Sequence, residues 1–136
     1  MAAAPSSVMA TVAAPTTRIV SSRARIQGLI DALLEVHRAL IDVARADFER
    51  ENGRVASSGA LLTLLTEHEA FAWLRPLSSF VASIESASEE DEIAAAFVDA
   101  RALFEPGSAF ADTYYAALQR APDAVMAHAA LRTALH

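Results

Sequence analysis

A chain of 136 residues with a hydrophobic fraction of 54% and a mean hydropathy of +0.28 has the length of one domain and enough apolar side chain to bury a core, which excludes disorder throughout. A net charge of −6, with arginines scattered singly and no lysine, leaves no positive footprint for nucleic acid. The lack of cysteine excludes disulfides, thiolate metal sites and cysteine nucleophiles. No apolar run approaches the roughly 20 residues of a membrane-spanning helix, so the chain reads as a soluble protein.

Residues 1–20 are dominated by Ala, Pro, Ser and Thr without an acid or a period, and read as a flexible leader ahead of a domain over 21–136. The first acid is Asp31, and Arg18, Arg23 and Arg25 precede it, so an organelle address competes with a plain tail. From Ser21 the pattern turns helical. Ile26, Ile30, Leu33, His37, Leu40, Ala44 and Phe48 step by fours and threes, broadened by Leu29, Leu34 and Ile41. Ser21 or Ser22 can cap this helix and Glu51-Asn52-Gly53 can end it, giving a spine of about 28 residues, or ~42 Å.

Ser57 or Ser58 caps a brief second helix, whose Leu61, Leu62, Leu64 and Leu65 are too dense for one face and predict burial on most sides. Thr66 and Glu69 have the spacing of a capping box for a third helix, with a stripe of Ala70, Leu74, Leu77, Val81 and Ile84 widened by Trp73 and Phe80. Pro76, past the first turn of that helix, must kink it or split it. Ser88-Glu89-Glu90-Asp91 opens the next helix, with Ile93, Phe97, Ala100 and Phe104 inward, and Pro106-Gly107 closes it. Ser108 starts a shorter helix with Phe110, Tyr114, Tyr115 and Leu118. Pro122 takes a first-turn position in the last helix, which carries Val125, Met126, Ala129, Leu131 and Leu135. The sum is an all-α bundle of four to six helices around a long first helix.

Few residues suggest chemistry. His37 places an imidazole in the spine's apolar seam, where it needs partners. A serine, tyrosine or carboxylate from a neighbouring helix would supply one, and a ligand or general-base role is the sharper alternative. Glu-x-x-His pairs of the di-iron type and H-E-x-x-H are missing, and neither a nucleophile elbow nor a phosphate loop occurs, so no catalytic or metal residue is assigned and no cofactor is expected. Of the adjacent Tyr114 and Tyr115, one should face inward and bond His37 or His128. Trp73 and Arg75 could form a cation–π or interface patch. His37, Trp73, Arg75, Tyr114 and His128 are thus the candidate ligand-binding residues.

The segment F-A-W-L-R-P-L-S, with S-S-G-A-L-L-T-L-L-T upstream and A-V-M-A-H-A-A-L-R downstream, is similar to small uncharacterised all-helical proteins of bacteria, from about Ile26 onward. The resemblance implies a bacterial, cytoplasmic protein and no particular activity. Two functional readings stand. One is a non-catalytic bundle acting through protein–protein contact, as a homodimer or an adaptor, through the apolar excess between Leu61 and Phe80. The other is a ligand-, haem- or metal-binding bundle, or a small enzyme, with an internal pocket near His37.

Overall fold

The computed structural model covers residues 3–136 and describes side chains from Ser21 onward. Six α-helices follow in order: α1 (Ala3–Asn52), α2 (Ser58–Glu67), α3 (Arg75–Ile84), α4 (Glu90–Leu103), α5 (Ala109–Leu118) and α6 (Pro122–Leu135). A 3-10 segment (Glu69–Leu74) joins α2 to α3, and no strand occurs among the described residues. The fold is the expected all-α bundle around a long first helix. Helix α1 is continuous through Ser21 and Ser22, so neither caps its start and it exceeds the expected spine of about 28 residues; the leader and address expected over 1–20 fall on side chains outside the described residues.

Helix α1 packs against α6, α4, α3, α5 and the 3-10 segment, so its apolar seam organises the domain. Ile26, Leu29, Ile30, Leu33, Val36, Leu40 and Ala44 are buried, and His37 and Phe48 are half-buried on the same stripe. Leu34, expected to widen the seam, instead lies 46% exposed: it sits about 100° from Leu33, beyond the arc that the neighbouring helices cover. Gly53 ends α1 with φ +84, a left-handed conformation that costs glycine nothing, and its N–H reaches Glu49 O at 3.0 Å. Glu49 then fastens the connection. Its Oε2 accepts from the Val55 amide at 2.7 Å, which holds the carboxyl below its ordinary range and seats Val55 in the interior.

Around Thr66 the structure corrects the expected capping box. Helix α2 runs through Thr66, whose hydroxyl donates to Leu62 O and Thr63 O, and the next segment is capped by His68, whose Nδ1 accepts from the Ala70 amide at 3.0 Å. A hydroxyl one turn from a helix end can back-bond instead of capping, and the bulkier imidazole takes the cap. Ala70 accordingly falls outside the buried stripe, which begins at Phe71 and Leu74. Pro76 splits the predicted helix rather than bending it. The chain is 3-10 up to Leu74, and Pro76 occupies the first turn of α3, where its missing N–H has no partner to lose.

Downstream, the expected inward residues Ile93, Phe97, Ala100 and Phe104 are all buried. The first turn of α4 starts one residue later than the serine suggested. Glu89 is the cap residue, and Glu92 Oε1 accepts from its amide at 3.0 Å. Ser108 caps α5 by accepting from the Ala111 amide at 3.0 Å, and Gly107, at φ +112, makes the turn before it. On α6 the inward residues are Ala124 and Leu131, whereas Val125 and Met126 are 47% and 73% exposed. Arg101 closes the bundle's far end by donating to Leu135 O at 2.6 Å, a cation on the negative end of α6.

Truncation should separate seam from surface. Leu33→Ala, at a fully buried position, is expected to lower the free energy of unfolding by about 2–5 kcal/mol in urea denaturation, and Leu34→Ala by no more than about 0.5 kcal/mol. Equal losses at the two positions would show that the seam is misassigned.

Candidate functional site

The five candidate residues do not form one site. His37 and Arg75 line one groove; Tyr114 and His128 meet elsewhere, between α5 and α6; and Trp73 is half-buried against the core, as a rim residue.

The groove, about 370 Å³, opens between α1, α2 and the start of α3. Its walls are Leu62, Leu65 and Thr66 from α2, His37 from α1, and Leu74, Arg75, Ser78 and Ser79 from the other side. His37 Nε2 lies 2.7 Å from Ser78 Oγ, and that hydroxyl is also 3.3 Å from Leu74 O, one turn back. The serine has a single proton. Donating it to Leu74 O requires an Nε2–H on His37, and donating it to the imidazole requires the opposite tautomer. In both arrangements the ring ties α1 to α3, as the interhelical serine bond foreseen for a seam histidine. Burial lowers the His37 pKa and favours the neutral ring at pH 7.

Arg75 makes no contact of cation–π type with Trp73; the cation–π pairs among the described residues are Arg25 and Arg101 with Phe97. Its Nη2 instead donates to Thr66 O at 3.0 Å, in the last turn of α2, and to His68 O at 3.4 Å, which also accepts from the Phe71 amide at 3.1 Å. The guanidinium is thereby held on the margin of the groove. Helix α2 itself departs from expectation. None of its residues is buried: Leu61, Leu64 and Leu65 are half-buried, and Leu62 is 62% exposed. Its main packing partner is the 3-10 segment; Leu61, Leu64 and Leu65 rest on the edge of the core, and Leu62 is left to water.

The second cluster is a packed interior feature. Tyr114 is the inward tyrosine, fully buried, with its ring 4.9 Å from Phe104 and 5.8 Å from Phe110. Its hydroxyl lies 2.7 Å from His128 Nδ1. Desolvation raises the phenol well above its ordinary pKa, so it stays protonated, and its proton finds an acceptor if Nδ1 is bare. His128 is therefore the Nε2–H tautomer. Tyr115 is half-buried and donates to Phe104 O at 2.8 Å, tying α5 to the end of α4. Tyr114 is fully buried and no buried polar side-chain atom among the described residues lacks a partner, so the pair reads as a satisfied polar contact within the core.

Ser78 was missed as a partner because it lies 41 residues from His37 and carries no periodic signal of its own. The groove depends on how α2 folds back over α1, which no local pattern encodes. Among the described residues no three His, Asp or Glu side chains gather as a metal site, and no helix is long and apolar enough to cross a membrane. No known protein family, curated protein or solved structure matches the chain.

The two histidines differ in their response to acid. Protonated His37 can still donate Nε2–H to Ser78 while Ser78 donates to Leu74 O. Protonated His128 carries a proton on Nδ1, and the Tyr114 hydroxyl then loses its acceptor inside the core. Desolvation lowers both pKa values in the folded state, with Arg132 lowering that of His128 further. Between the folded values and the unfolded value near 6.5 the unfolded chain binds more protons, so stability is complete above about pH 6.5 and falls as the pH drops through the folded values. The melting temperature should therefore decrease on acidification from pH 7 to pH 5, and His128→Gln should flatten that decrease more than His37→Gln does. A melting temperature that rises over this interval would reverse the sign of the argument.

Proposed function

We propose that this is a non-catalytic helical bundle that works by protein–protein contact, with a second copy of itself as the partner and α2 as the contact face. The observation that carries the reading is that α2 has four leucines and no buried residue, with Leu62 62% exposed. An isolated exposed leucine needs no explanation, but a whole short helix of half-covered leucines leaves apolar area that association would remove from water, at about 25 cal/mol per Å². A second copy suits the patch because it carries both signs of charge: Arg75 on the groove margin and Glu67 at the end of α2. In a two-fold pairing each can face its opposite across the axis. His37 and His128 already have intramolecular partners, which favours a packing role for them over turnover. We place this homodimer in the bacterial cytoplasm, as the sequence reading expects.

Sedimentation equilibrium tests the proposal. The wild-type chain should dimerise in the micromolar range, and Leu62→Glu should weaken association by about tenfold or more with helix content unchanged by circular dichroism. A strict monomer at several hundred micromolar, or a dimer indifferent to Leu62→Glu, would contradict it.

A further inference from the structure

The groove beneath α2 shares Leu62 and Arg75 with the contact face and adds polar groups that self-association does not use. Its apolar wall is made of Leu62, Leu65 and Leu74, and Arg75 is the only charged residue lining it, so in a molecule of net charge −6 this concavity is locally positive. The guanidinium is already positioned by the carbonyls of Thr66 and His68, both bonded to one terminal nitrogen, and its remaining N–H groups have no partner among the described residues. The Ser79 hydroxyl and His37 Nδ1 likewise make no hydrogen bond among the described residues. Hydrogen-bonding capacity from three side chains therefore meets an apolar wall in a volume of about 370 Å³, within the range that holds small molecules.

We propose that this groove binds a small amphipathic monocarboxylate, with its acyl chain along Leu62, Leu65 and Leu74 and its carboxylate on Arg75. A carboxylate is acceptor-only when ionised and pairs with a guanidinium through two parallel bonds, which matches one arginine with free N–H groups better than a cationic or neutral head does. The Ser79 hydroxyl and a His37 Nδ1–H complete the donor shell, in the tautomer whose bare Nε2 accepts from the Ser78 hydroxyl. The His37–Ser78 bond stays intact, since the ring reaches the ligand through its other nitrogen. The groove shares Leu62 and Arg75 with the contact face, but ligand binding and mass are measured separately, so each reading can fail alone.

Octanoate is the probe, titrated into the full chain by isothermal calorimetry, with octylamine and acetate as controls and the same samples sedimented for mass. Octanoate should bind saturably at about one per chain with a dissociation constant below about 1 mM. Octylamine and acetate should not reach half-saturation at about 5 mM, and Arg75→Gln should weaken octanoate by about tenfold or more. Arg75→Lys, which keeps the charge and loses the paired geometry, should fall between the two. Circular dichroism of each variant checks that α2 remains folded; if Arg75→Gln unfolds it, Ser79→Ala, which leaves the carbonyl contacts in place, is read instead and should weaken octanoate by several-fold. Octanoate binding no tighter than octylamine, no saturation, or binding unchanged by both substitutions would overturn the proposal, whatever mass the samples show. Saturable octanoate binding to a strict monomer would uphold it while removing the contact reading.

Discussion

The structure depends on one requirement, that the apolar seam of α1 from Ile26 to Ala44 be covered along its length. No single partner helix is long enough to do so. At ~1.5 Å per residue, α4 and α6 each span about 21 Å, so the seam is covered piecewise by α6, α4, α3, α5 and the 3-10 segment. That division explains the short helices and tight connections downstream, and why capping residues and glycines at φ +84 and +112 mark the breaks between them. It also explains where covering runs out. Helix α2 comes first after the spine and leans on the 3-10 segment more than on α1, leaving its leucines half in water.

The polar residues of the seam follow from the same requirement. An imidazole on a largely buried stripe has to be hydrogen-bonded, and Ser78 supplies that bond from α3 while Tyr114 supplies one to His128 between α5 and α6. These contacts fix which helix lies against which at a cost in acid tolerance. The two pairs are chemically unlike: the hydroxyl of serine can reverse its role, with Leu74 O as an alternative acceptor, whereas the buried phenol has one acceptor and no alternative.

Much of this was legible in the sequence, for definite reasons. The inward residues of α4 and most of those of α1 could be read because their 3.6-residue spacing is long and regular, and Ser57, Ser108, Gly53 and Pro122 because each satisfies a backbone demand at a helix end. The failures have physical causes too. Thr66 looked like a cap because the sequence does not show that α2 continues through it, and the ring of His68 took the cap instead. The density of leucine in α2 suggested burial, but burial is decided by which neighbours arrive, and the 3-10 segment and the edge of the core cover only part of the helix. Of the candidate site, His37 was identifiable as an imidazole on an apolar seam and Arg75 only as a neighbour of Trp73, and their meeting in one groove with Ser78 and Ser79 is a property of the tertiary packing alone.

The account therefore turns on α2, a helix formed and capped but not covered. Hydrogen exchange followed by mass spectrometry, at protein concentrations from about 1 to 200 µM, measures its covering directly, since association protects amides at the contact face as its population rises. The account predicts that peptides spanning 58–67 gain protection with concentration while those of α4 and α6 do not. Protection of α2 that is independent of concentration, or gained instead along α6, would contradict it.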